Sequence, residues 1–131
     1  MSDLRFDSRV AVVTGGGTGL GASHVRLLAS RGAAVVVNDL DSHHAAEVAA
    51  EVLRAGGRAI TVTSDISTEE GASEPIEAAI DEFGRVDIVV NNAGVLRSAP
   101  FADMTTVVWD HVIAVNLRGT FLVTLAAWPH F

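Results

Sequence analysis

Cysteine, tyrosine and lysine are all missing from the 131 residues. Without cysteine there can be no disulfide, thiolate metal ligand or cysteine nucleophile. A metal site would have to be built from histidine and carboxylates, and none is expected. Without tyrosine or lysine, neither side chain can serve as a catalytic acid, base or Schiff-base former. The nine Lys+Arg positions are all arginine, scattered from Arg5 to Arg118 against 16 acidic residues, for a net charge of −7. No basic stripe forms, so nucleic acid is not an expected partner. No apolar run reaches the roughly 18 residues of a membrane span. Met1 to Arg9 lacks the apolar stretch and small-residue cleavage site of a secretory leader. A soluble, cytoplasmic protein without membrane association is the expectation.

What is present is 49% hydrophobic residues, much of it alanine and valine, enough for one domain that buries roughly two thirds of its unfolded surface. Short β-branched runs alternate with helical patterns. Strands are predicted over Arg9 to Thr14, Ala33 to Asn38, Ala59 to Ser64 and Val86 to Asn91. Helices are predicted from about Gly19 to Gly32, from Ser42 to Ala55, from Ser67 to Phe83 and from Thr106 to Trp128. Ser67 and Glu70 fit an S-x-x-E capping box, with Glu69 and Glu70 suited to the helix dipole. Pro75 either kinks the third helix or marks its true first turn. The last helix, stopped by Pro129, is apolar over more than one face. Nearly all-apolar strands alternating with helices imply a doubly wound α/β fold: a parallel sheet of about four strands covered by about four helices.

The stretch VVTGGGTGLGAS, residues 12 to 23, joins the first strand to the first helix. A phosphate loop of the G-x-x-x-x-G-K-[ST] type is excluded because its lysine is absent. Two dinucleotide registers remain: Gly17, Gly19 and Ala22 as G-x-G-x-x-A, or Gly15, Gly19 and Gly21 as G-x-x-x-G-x-G. The strand end at Thr14 favours the second, with Gly16 and Gly17 filling the loop. In either register, backbone N–H groups at a helix N-terminus face the phosphates. Asp39 lies 18 residues beyond Gly21, close to the spacing of about 20 at which an acidic side chain accepts from an adenosine ribose. Its charge would repel a 2′-phosphate, which favours NAD over NADP. The alternative is that Asp39 only opens a turn.

With TGGGTGLG at residues 14 to 21 and NNAG at 91 to 94, the sequence resembles the short-chain dehydrogenase/reductase family along its whole length. The resemblance implies a Rossmann-type NAD-binding domain over residues 1–131, the N-terminal part of a longer dehydrogenase domain. It selects Gly15, Gly19 and Gly21 as the cofactor glycines, with Thr18 and Leu20 between them in the same loop. Asp65 and Ile66 would lie against the adenine, although Asp65 could also be a turn or capping residue. Asn92, Ala93 and Gly94 would sit beside the cofactor, while Asn91 could serve only to end its strand. Asn116 matches the family's catalytic-site asparagine, which supports a water-linked proton relay; a structural asparagine in a helix interior is the alternative. The family transfers a hydride between NAD(P) and an alcohol or carbonyl, using a serine and a YxxxK pair that would follow Phe131. Truncation before that machinery predicts cofactor binding without turnover. A non-catalytic nucleotide-binding or interaction module is the competing reading. Within the family, VVVNDL, NNAGVLRS and RGTFLVTLAAW resemble the (3R)-hydroxyacyl-CoA dehydrogenase domains of peroxisomal multifunctional enzymes. The five histidines read as solvated helix or terminal residues. A homo-oligomer is expected, because the fourth strand would have an open edge and the long helix an uncovered face.

Overall fold

A computed structural model describes residues 4–131; Met1–Asp3, the start of the segment argued above to lack a leader, lie outside the described residues. Four strands, β1 (Val10–Val13), β2 (Ala34–Asp39), β3 (Arg58–Thr63) and β4 (Ile88–Val90), form one parallel sheet in the order β3-β2-β1-β4. Helices α1 (Gly19–Ser30), α2 (Ser42–Arg54) and α3 (Glu69–Phe83) are the crossovers between successive strands. After β4 come α4 (Thr106–Ile113), a π-helical segment (Ala114–Gly119), α5 (Thr120–Ala127) and a short 3-10 turn (Trp128–His130).

The strand pleat divides the valines between two cores. Ala11, Val13, Val35 and Val37 pack with α1 and α2 through Val25, Leu28, Val48 and Val52. Val10, Val12, Ala34 and Val36 face the other way, onto Ile76 and Ala79 of α3 and Leu122 and Val123 of α5. Helices therefore cover both faces, and the doubly wound expectation is met in Rossmann-like form. β4 is an edge strand among the described residues, as anticipated from the missing partner on its far side.

Several local expectations need correction. The N-cap of α3 is Thr68, whose hydroxyl accepts from Gly71 N–H at 3.0 Å, and not Ser67. Ser67 instead stands in a turn closed by the Asp65 carboxylate, which accepts its N–H at 2.9 Å. Pro75 is neither the first turn nor near it: it is buried in the interior of α3, six positions beyond Glu69. The carbonyl that loses its helical donor at Pro75, that of Gly71, accepts from the Ser64 hydroxyl at 2.7 Å. The long final helix is not uniform, because its middle turn widens to π geometry. Thr106–His130 is nevertheless one continuous helical run of 25 residues, long enough to cross a membrane and, with a mean hydropathy of 1.4 over its most apolar 18-residue window, apolar enough by composition alone. Asn116 and Arg118 interrupt it, so no unbroken apolar run of about 18 residues occurs in it, and 28% of its most apolar window is buried against the rest of the fold.

One carboxylate ties the sheet's inner and outer strands together. Asp87, just before β4, accepts from Val10 N–H at 2.9 Å, from Arg9 Nη1 at 3.0 Å and from Arg85 Nε at 2.8 Å. Its side chain is only 11% exposed. Burial is the largest influence and acts to raise its pKa, but the bonds from Arg85, Val10 and Arg9 together overcome it and hold the group at about 2, against an ordinary 3.8. A lowered folded pKa stabilises the fold above the unfolded value and loses that stabilisation as pH falls through the folded one. At about 1.4 kcal/mol per unit, Asp87 contributes about 2 kcal/mol at neutral pH. Asp87→Asn is thus expected to lower the urea unfolding free energy by about that amount at pH 7. The gap from wild type should narrow as pH falls from about 4 to about 2, and a gap independent of pH would contradict the assignment.

Candidate functional site

The chain leaves β1 toward α1 and β4 toward α4 at neighbouring positions, where the strand order reverses. In open α/β sheets this point, at the carboxyl ends of the strands, forms a crevice. Here the crevice has a volume of about 380 Å³. Its floor is the glycine loop, with Gly15, Thr18, Gly19, Leu20 and Gly21. One wall carries Asp39, Asp65 and Ile66, and the other Asn92, Ala93 and Gly94. The cofactor residues predicted from the sequence thus converge on one cleft. A larger hollow of about 620 Å³ lies between α1 and α2, near the amino ends of β2 and β3, and holds none of them. Arg26 and Glu51 form an ion pair within it at 2.6 Å.

The loop's geometry distinguishes its glycines. Gly15 and Gly19 have φ of +60° and +52°, in the left-handed region where a side chain is strained. A Cβ at Gly21 would run into the Gly15 carbonyl oxygen, so that position is fixed by close approach. Gly17, expected only to fill the loop, is equally constrained: a Cβ there would stand 2.8 Å from both Asp39 Oδ2 and His44 Cβ. Its N–H donates to Asp39 Oδ2 at 2.9 Å, and Asp41 N–H donates to Asp39 Oδ1 at 3.1 Å. Asp39 is therefore both a turn residue and a carboxylate aimed along the cleft wall.

The N-terminus of α1 differs from those of α2, α3 and α4. Those three are capped by Asp41, Thr68 and Thr105 respectively, each accepting from the first helical turn. Thr18 at α1 makes no side-chain cap hydrogen bond, the first turn holds no acidic residue, and a Cβ on Gly19 would meet nothing within 4 Å. A helix start with no side-chain cap, open above its backbone, suits an anion.

Each of the three asparagines makes side-chain hydrogen bonds that anchor the elements around the cleft. Asn92, on the cleft wall, donates its amide to the carbonyls of Thr14 and Gly15 at 3.0 and 2.9 Å, clamping the glycine loop to the end of β4. Asn91 donates to Thr124 Oγ1 at 3.0 Å and so docks α5. Asn116, in the π segment, accepts from Val95 N–H at 2.7 Å and donates to Val95 C=O at 2.9 Å, fixing the segment after NNAG. It does not line the cleft itself. Ile66 is 5% exposed and belongs largely to the core, whereas Asp65 is exposed. Hydrogen bonds from Ser67 are the main cause holding the Asp65 carboxyl below its usual pKa.

Three further residues were missed in the sequence. Thr14 is 1% exposed, and its hydroxyl accepts from Asn92 and Ala93 N–H, both at 3.1 Å. Asn38 is likewise 1% exposed and bonds to Ser64. The available signal was a polar residue at the end of each otherwise apolar strand. His43 and His44 do not chelate: each faces its own carboxylate, Glu47 and Asp41 respectively, and no metal-binding group occurs among the described residues.

Known proteins resemble this chain in sequence and in fold. A peroxisomal hydratase-dehydrogenase-epimerase of Neurospora crassa is 50% identical over 126 residues, 96% of this chain and 14% of that protein. A short-chain type dehydrogenase/reductase of Mycobacterium tuberculosis is 48% identical, matching 94% of this chain and 46% of its own length. The crystal structure of a dehydrogenase/reductase from Sinorhizobium meliloti superimposes with a TM-score of 0.94 at 35% identity, over 97% of this chain and 51% of that one. This chain thus spans about half or less of the length of these relatives. The short chain dehydrogenase family profile covers residues 9–131, and with the glycine turn, the parallel sheet and the switch-point cleft it places the chain in that family of oxidoreductases.

Proposed function

We propose that the chain is the N-terminal, NAD-binding part of a dehydrogenase domain that moves a hydride between NAD and a small alcohol or carbonyl substrate. The observation that carries this reading is the start of α1, without a side-chain cap or an acidic residue, opening into the cleft. When bound, the nicotinamide cofactor supplies the hydride acceptor or donor. Gly15, Gly19 and Gly21, with Thr18 and Leu20, would hold the pyrophosphate on backbone N–H groups. Asp39, steadied by Gly17 and Asp41, would accept from the ribose hydroxyls and repel a 2′-phosphate. Asp65 and Ile66 would border the adenine, and Ala93 and Gly94 the nicotinamide side. Asn92 and Asn116 act through the backbone they fix rather than by touching the cofactor. Hydride transfer also requires a proton to enter or leave the substrate oxygen. This sequence has no tyrosine or lysine for that step, so the complete enzyme would draw it from a following segment.

Isothermal titration should give clearly tighter binding of NADH than of NADPH; equal affinities would defeat the role of Asp39. The 131-residue chain alone should reduce no NAD in the presence of alcohols, and turnover by a pure preparation would overturn the division of labour. Binding of NAD by a native protein with no following segment would favour the non-catalytic module instead. Self-association is a further part of the proposal. Leu117, Phe121, Leu125 and Trp128 are each more than half exposed along one groove, and β4 has an unpaired edge among the described residues. Light scattering should find a dimer or larger species, and a clean monomer would contradict it.

A further inference from the structure

Asn38 is a buried amide in a strand whose other buried residues are alanine and valine. Such a group costs stability unless its polar atoms find partners. Its Nδ2 donates to Ser64 Oγ at 2.9 Å, with Val62 O and Ser64 O at 3.2 and 3.3 Å. The Ser64 hydroxyl in turn donates a hydrogen bond to Gly71 O at 2.7 Å, the carbonyl that Pro75 leaves without a helical donor. The turn carrying Asp65 and Ile66 lies between those two anchors, Ser64 and Gly71. On the opposite side, the main-chain carbonyl of Asn38 accepts from Gly16 N–H at 2.8 Å. The next residue is Asp39. One residue therefore fixes the glycine loop, the acidic residue and the β3–α3 turn relative to each other.

We infer that Asn38 is a positioning residue for the adenosine half of the cofactor, holding through Ser64 and Gly71 the wall that this half meets. The inference rests on the cofactor reading above.

The test uses ADP-ribose, which carries the adenosine half without nicotinamide, with titration calorimetry and urea unfolding read in parallel. Ser64→Ala should weaken ADP-ribose binding roughly five- to tenfold, the scale of one lost buried hydrogen bond, and should also lower stability. Adding Pro75→Ala restores an N–H for Gly71 O. The double variant should regain stability yet keep the weakened affinity, because Asn38 still lacks its hydroxyl partner. Pro75→Ala alone should bind as wild type. If affinity recovers together with stability in the double variant, the network is only structural and the inference fails. If ADP-ribose binds every variant as well as wild type, the inference fails while the cofactor reading stands. If wild type itself does not bind ADP-ribose, both fall.

Discussion

The approach of Gly21 to the carbonyl of Gly15 is the contact on which the cleft depends. It lets α1 start directly above the end of β1, so the helix's first N–H groups open into the space between β1 and β4. The turn that achieves this needs left-handed backbone at Gly15 and at Gly19. Its carbonyls cannot stay unpaired in a half-buried position, and the Asn92 amide takes those of Thr14 and Gly15. The loop after β4 is thereby bound to the loop after β1. Asn116 extends the same logic one step further by holding Val95 at both its backbone atoms.

Much of this was legible in the residues. The four apolar runs became four strands, displaced by one or two residues at their ends, and the three glycines of the favoured register met a backbone reason each. Asp39 was found because its spacing from the loop is set by the length of one helix and one strand. The rest depended on tertiary contacts that no local pattern carries. Thr68 outcompeted Ser67 as a cap because the Asp65 carboxylate and carbonyl draw the preceding turn around themselves. Gly17 looked like filler because the atoms that crowd it, on Asp39 and His44, are more than twenty positions away. The Asn92 side chain pointed inward for a similar reason: its acceptors belong to a strand end 77 and 78 residues earlier.

Polar atoms in the cleft's foundations are satisfied in chains. No buried side-chain nitrogen or oxygen among the described residues lacks a partner. Asn38, Ser64 and Gly71 form one such chain, and Val90, Thr14 and Asn92 another. Each begins on a strand end and finishes on an element that comes later in the sequence. Sheet and loops are therefore built as a unit, which suits a site that must keep its N–H groups aimed at an incoming anion.

The π segment at Ala114–Gly119 also explains why the last helix reads as apolar on more than one face. A widened turn takes in about one extra residue, which rotates everything after it by about 100° relative to a straight α-helix. α4 before it has no buried residue, whereas α5 after it buries Leu122, Val123 and Ala127 against the sheet. Removing one residue between 114 and 119 would take out the residue that the wide turn absorbs, and a regular α-helix would then carry the same three side chains to the sheet. What is constrained in that stretch is chemistry rather than length: Asn116 must hold Val95, and Gly119 leaves no room for a side chain against Ile66.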